Sequence, residues 1–218
     1  ATDAGVSSKD LDGLDWPRIF SRREALENGA TINLSEQRQV GHYWLRDPLL
    51  APTMGQAQAI GETCETVKRA AADIRIGNTL APNGLPFEHV IHVGIGGSVL
   101  GPRFIVDALA ADMTGLNIHF IDNIDPRNIL DTLANLGNAI DTTLVVVVSK
   151  SGTTIETLAA TAIIREHMEQ RGLDFHHHAV AITTANSTLD HQARRESWLH
   201  TFYLWDWVGG RFSVTSAV

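Results

Sequence analysis

The chain has 218 residues, enough to bury a substantial core as one large domain with room for a helical extension. Apolar residues make up 44% and charged residues 19%, a globular balance, and 17 Lys plus Arg against 25 Asp plus Glu give a formal net charge of −8, which argues against a nucleic-acid or anionic-membrane surface. A single cysteine, Cys64, excludes an internal disulfide framework and fits a reducing cytoplasm. Ala1 to Asp10 has no basic stretch leading into an apolar run, so no signal peptide is expected. No segment approaches the roughly 20 apolar residues of a membrane helix.

Residues 1–85 read as a helical and irregular extension. Asp15-Trp16-Pro17 looks like a helix or turn start, and Gln37 to Arg46 holds the cluster His42-Tyr43-Trp44. From Thr53 to Ile76, apolar residues at mixed three- and four-residue spacing (Ile60, Cys64, Val67, Ala71, Ile74) predict an amphipathic helix. Asn78 to Pro86, with Asn83-Gly84 and two prolines, predicts a loop or hairpin-like turn.

Residues 86–218 change to a strand, turn, helix rhythm. Strands are predicted at His89–Val93, Asn117–Ile121, Thr143–Val148, His178–Ile182 and Leu199–Leu204. Helices are predicted at Ser98–Ala111, Pro126–Leu136, Thr154–Arg171 and Leu189–Arg195. This alternation predicts a doubly wound α/β fold, a mostly parallel sheet flanked by helices, with ligands at the carboxyl ends of the strands. The run Leu144-Val145-Val146-Val147-Val148 cannot present a polar face, so it reads as a strand covered on both sides.

Three polar segments follow strands. After the valine run, Ser149-Lys150-Ser151-Gly152-Thr153-Thr154 offers hydroxyls, a cation and free backbone N–H groups at a helix start, a combination suited to a phosphate. After the first strand, Gly94-Ile95-Gly96-Gly97-Ser98 lets the backbone approach a ligand, with Ser98 able to cap the helix and donate a hydroxyl. It is neither a dinucleotide fingerprint, because Val99 stands where the third glycine would fall, nor a P-loop, because no Gly-Lys-Ser/Thr follows. Near the end, Gly209-Gly210-Arg211 gives a tight path that can aim a guanidinium at an oxyanion. No cofactor is expected.

In order and spacing, Gly94-Ile95-Gly96-Gly97-Ser98, the Ser149 to Thr154 turn with Glu156-Thr157, and Gly209-Gly210-Arg211-Phe212-Ser213 resemble the glucose-6-phosphate isomerase family from about Ile76 onward. The resemblance implies a sugar-isomerase (SIS) fold and interconversion of glucose 6-phosphate and fructose 6-phosphate through a cis-enediol intermediate. It implies that Ser149, Lys150 (chiefly by its backbone), Ser151 and Thr154 hold the substrate phosphate, with Ser98 and the Gly97 backbone beside them. Ser151 stands where many relatives have Thr and keeps the hydroxyl. Arg211 would stabilise the negative charge of the intermediate, and Glu156 would serve as a nearby acid; the alternative reading is that Glu156 complements its helix dipole. The family's Glu, His and Lys for proton transfer follow the Gly-Gly-Arg segment and are expected outside this chain, in a second SIS domain that it lacks. The chain is therefore expected to carry the phosphate-binding half and to be inactive alone, and the full-length protein to be a cytoplasmic homodimer.

The rival class is a non-catalytic phosphosugar sensor, which should carry a basic helix-turn-helix ahead of the sheet. Residues 1–85 instead hold nine Lys plus Arg against eleven Asp plus Glu. The His176-His177-His178 run is expected to be a solvated loop without a metal, since consecutive side chains diverge in helix or strand. His92 is expected in the core, His42 in helix packing, and the five tryptophans in packing generally.

Overall fold

The computed structural model describes residues 11–109 and 115–218. The expected absence of a leader at Ala1 to Asp10 and the far end of the helix expected to reach Ala111 lie outside these. Helix α1 (Trp16–Glu27) starts on an Asp15 cap and buries none of its residues. Trp16 stacks on Phe20 at 5.9 Å on the exposed surface, so this tryptophan does not join the core. Helix α2 (Met54–Arg75) is the predicted amphipathic helix; Ile60, Ala70 and Ile74 are buried along one stripe. Leu80 then bridges to Pro86 in a short hairpin-like turn before the sheet.

The sheet contains β1 (His89–Gly94), β2 (Asn117–Ile121), β3 (Thr143–Val148), β4 (Ala179–Thr184) and β5 (His200–Leu204). The order is β2-β1-β3-β4-β5 and every pairing is parallel, so the strands run one way throughout. Between them lie α3 (Gly97–Leu109), α4 (Pro126–Leu136), α5 (Ile155–Gln170) and α6 (Thr188–Arg195). A final 3-10 helix spans Gly210–Thr215.

Side-chain alternation along the strands builds two cores. Ile91, Val93, Val145, Val147, Ala179 and Ala181 face α4 and α5, meeting Ile129, Leu133, Ile164 and Met168. Val90, Leu144, Val148, Val180, Ile182 and Phe202 face the other way, toward Ala70 and Ile74 of α2 and toward Ala217. A third cluster joins Trp44 and Ile60 to Trp207 and Val208, and the Trp44 and Trp207 rings lie 4.9 Å apart. It fixes the segment around residue 41 to the loop after β5, because the Gly41 N–H donates to the Trp207 carbonyl at 3.0 Å.

The histidine run departs from expectation. Phe175–His177 forms one 3-10 turn rather than a loop, and His178 is fully buried. Its Nδ1–H donates to the Thr143 carbonyl at 2.9 Å while the ring packs edge-on against Phe87. With three residues per turn, the 3-10 helix brings Phe175 and His178 onto one inward face and leaves His176 and His177 outside.

Ile164, at the centre of the α4/α5 core, is fully buried, whereas Leu130 on α4 is 53% exposed. Ile164→Ala should lower unfolding stability by about 2–5 kcal/mol through lost transfer energy plus a residual cavity. Leu130→Ala should change it by less than about 0.5 kcal/mol. Urea denaturation of both variants reads the difference.

Candidate active site

The order β2-β1-β3 places a reversal of winding between β1 and β3, and the two polar turns leave these strands side by side. At the β1 turn His92, 7% exposed, donates from Nε2 to the Ser98 carbonyl at 2.7 Å. Ser98 sits inside the first turn of α3 rather than capping it, since the helix begins at Gly97. Gly97 is in close contact with the last 3-10 helix: a Cβ there would stand 2.1 Å from the Gly210 carbonyl oxygen. The Ser213 hydroxyl lies within 2.8 Å of the Gly97 carbonyl and 2.7 Å of the Gly210 carbonyl, donating into the same junction.

At the β3 turn Ser149 is 2% exposed. Its hydroxyl accepts from the Gly152 N–H at 3.1 Å and donates to the Thr154 hydroxyl at 3.1 Å. Gly152 takes φ +69°, and a Cβ on it would meet the Leu189 backbone nitrogen at 2.6 Å. Ser151 accepts from the Thr153 N–H at 3.2 Å. The helix that follows starts without a side-chain cap. Asp15, Thr53, Asp125 and Ser187 each cap their helix with a side-chain oxygen, but Thr154 makes no such bond at the start of α5. The backbone donors of that first turn are left for another acceptor.

A third turn, not anticipated from the sequence, completes the cleft. After β4 the chain runs Thr184-Ala185-Asn186-Ser187 into α6, with Asn186 at φ +63°. The fully buried Asp190 accepts from the Asn186 N–H at 2.6 Å and from the Arg194 guanidinium at 2.8 Å. Thr183 Oγ1 donates to the Ser149 carbonyl at 2.6 Å and lies 2.7 Å from the Ser187 hydroxyl, joining the second and third turns. The resulting cleft, about 390 Å³, is lined by Ser98, Lys150, Ser151, Thr154, Thr184, Asn186, Ser187, Arg38 and Asp206, with Ala185.

The Lys150 side chain is engaged by backbone carbonyls. Its ammonium donates to the Asp206 carbonyl at 2.9 Å and the Val208 carbonyl at 2.8 Å, tying the β3 turn to the loop after β5. Burial lowers its pKa from the ordinary lysine value and Arg38 adds to this; Asp206 and Glu36 oppose. Arg38 pairs loosely with Asp206 at 3.8 Å and lines the cleft alongside Lys150.

Of the residues expected at the site, Ser98, Lys150, Ser151 and Thr154 line the cleft together. Ser149 lies beneath it as the scaffold of the turn, and Gly97 is taken up by the Gly210 contact. Arg211 and Glu156 are exposed and do not line it. Arg211 stands on the 3-10 helix against α3, and His42 stacks on the adjacent Phe212 at 3.9 Å. Sequence reasoning missed Arg38, Asn186, Ser187 and Asp206. The Thr-Thr-Ala-Asn-Ser-Thr stretch carried the same strand-to-helix hydroxyl signal as the other two turns; nothing in the local pattern marked Arg38.

Fold and cleft define a doubly wound α/β protein with a polar site at the carboxyl ends of its strands, built where the winding reverses. Comparison with known proteins narrows this. The profile of the family Phosphoglucose isomerase matches residues 12–218, and the chain belongs to that family. It is 46% identical over 199 residues to a glucose-6-phosphate isomerase of Desulfitobacterium hafniense, covering 91% of this chain and 37% of the relative. It is 47% identical over 211 residues to that of Citrifermentans bemidjiense, covering 95% and 40%. The crystal structure of a glucose-6-phosphate isomerase from Chlamydia trachomatis superposes with a TM-score of 0.80 at 31% identity, over 97% of this chain and 41% of that one. The chain thus spans roughly two-fifths of the length of these relatives.

Two expectations follow from the geometry. Lys150→Met leaves two carbonyls without their charged donor and should cost about 1–3 kcal/mol in a urea titration. The second concerns pH. Burial holds His92 below the usual histidine range, against the Ser98 carbonyl, which favours the protonated ring. The unfolded chain therefore takes up its proton first as pH falls below about 6.5, and stability present above that value is lost until the folded pKa is reached. His92→Asn should flatten the fall in urea midpoint between about pH 7.5 and about pH 5.5. Some slope should persist, because His119, His178 and His200 are shifted in the same direction.

Proposed function

We propose that this chain is the phosphate-binding part of an aldose–ketose isomerase that interconverts glucose 6-phosphate and fructose 6-phosphate through a cis-enediol. The single observation that carries the reading is the uncapped start of α5 beside the Ser98, Ser151 and Thr154 side chains of the cleft. A phosphate seated there accepts from the first-turn N–H groups and from the hydroxyls, and the positive end of the helix favours its charge. Ser149 serves the same group indirectly, by holding the Thr154 hydroxyl and the Gly152 N–H in place. The Lys150 backbone belongs to this cradle while its side chain braces the neighbouring loop.

In this reading Arg211, exposed on the Gly210–Thr215 turn, neutralises the charge that develops on the enediol oxygens once substrate is bound. Glu156 lies in the first turn of α5 and acts at most as an auxiliary acid. The base that moves the proton between C1 and C2 comes from chain beyond these residues. Residues 1–85 form the helical extension and 86–218 the first sugar-isomerase domain of a cytoplasmic, homodimeric protein. Among the described residues no helix is long and apolar enough to cross a membrane.

Calorimetric titration of fructose 6-phosphate into the 218-residue chain tests the reading against a Ser151→Ala, Thr154→Val variant. Hydrogen bonds to a charged group contribute about 1.5–3 kcal/mol each, so the variant should bind at least about tenfold more weakly. Equal affinity in the two proteins would remove the phosphate assignment.

A further inference from the structure

The histidine run lies outside the cleft and has no part in the proposed chemistry. It sits where α5 leads into β4, while the cleft residues Thr184 to Ser187 leave the other end of that six-residue strand. At roughly 3.3 Å per residue the two ends are separated by about 20 Å. Asp174, His176 and His177 each present one donor atom here, and the three atoms lie within 4.8 Å of one another. Asp174 Oδ1 is 3.1 Å from His176 Nδ1, and its Oδ2 is 3.7 Å from His177 Nδ1.

The arrangement is held from beneath. Phe175, between the first two donors, is 1% exposed and packs edge-on against Trp198 at 5.4 Å. His178, directly after the third, is fully buried and fixed by its bond to the Thr143 carbonyl. The His177 N–H donates to the Asp174 carbonyl at 3.0 Å and the His178 N–H to the Phe175 carbonyl at 2.9 Å. The backbone carrying the three donors is therefore anchored on both sides by the core, and little ordering remains to be done when an ion arrives. The divergence of consecutive histidines expected from sequence is overcome because the 3-10 turn sends two of them outward to the same carboxylate and the third inward.

We propose that Asp174, His176 and His177 form a binding site for a late first-row divalent ion of the zinc, nickel or copper class. Two imidazole nitrogens and one carboxylate oxygen suit these borderline ions, whereas calcium and magnesium take all-oxygen sets. The ion takes the place of the protons that would otherwise join the imidazoles to Asp174, and its remaining positions are open to water or to a further donor. The site stands apart from the phosphate cradle and does not depend on that assignment. Because it binds the turn as folded, the ion stabilises the folded chain.

The test uses zinc chloride titrated calorimetrically into the 218-residue chain carrying Cys64→Ser, which removes the thiol as a competing ligand. It is repeated with His176→Ala, His177→Ala added. The parent should bind one equivalent and unfold at a higher temperature with zinc. The double variant should bind at least about tenfold more weakly and show no zinc-dependent rise, while its metal-free unfolding temperature stays close to the parent's. In a parallel sample, copper(II) should show an electron paramagnetic resonance spectrum with nitrogen coupling that the double variant loses. Equal zinc binding in both proteins, or no saturable binding in the parent, would overturn the proposal.

Discussion

Strand β3 lies in the middle of the sheet with a neighbour on each edge and a packed layer on each face, and this constraint governs what surrounds it. A strand enclosed in this way can end only where its backbone finds other partners, and the chain supplies them at once from serine, threonine and glycine. The Ser149 N–H is still in the ladder with Ile182, the Ser149 carbonyl is taken by Thr183, and the Ser149 hydroxyl begins the turn. The cleft is the place where the interior polar requirements of β1, β3 and β4 run out together. Donors left over at that edge are the ones offered to a ligand.

The cleft walls are joined by contacts between distant parts of the chain. Lys150 reaches the carbonyls of Asp206 and Val208, Ser213 reaches Gly97, and the Trp44–Trp207 cluster brings in the segment that carries Arg38. Each of these links ends on backbone or on an apolar ring rather than on an opposite charge. Their geometry is set by packing and hydrogen bonding, which salt does not screen as it screens surface ion pairs. Among the described residues the one strongly shifted carboxylate, Glu196, lies elsewhere: burial pushes its pKa up, but Arg165, the Trp198 indole and Gln192 together bring it down to about 2. It ties Arg165 of α5 to Gln192 of α6 and to Trp198 ahead of β5, away from the cleft.

Most of the fold was legible because its signals are local. Runs such as Leu144–Val148 can only be enclosed strands, and the limits of β2, β3 and α4 follow directly from where apolar runs meet asparagine, proline and threonine. The first two polar turns were legible because glycine and hydroxyl residues follow a strand immediately. What stayed hidden depends on three-dimensional placement. Arg38 reaches the cleft from an irregular segment without periodicity, and the Lys150 side chain turns to carbonyls that lie 56 and 58 residues away in sequence. The burial of His178 hinges on the phase of one 3-10 turn, which composition does not encode. Trp16, read as a packing residue, is exposed because α1 presents no stripe to the core.

The interlock of Gly97 with Gly210 and Ser213 also sets an order of events in folding. The two sides of this junction are separated by 116 residues at the Ser213–Gly97 bond, a long loop to close for a single contact. The β1 and β3 turns can form as soon as their strands pair, but the wall that Lys150 and Gly97 share with the last loop cannot exist until that loop has been made and docked. A nascent chain therefore builds its sheet before its cleft, and the binding surface is among the last features to mature on the way to the native state.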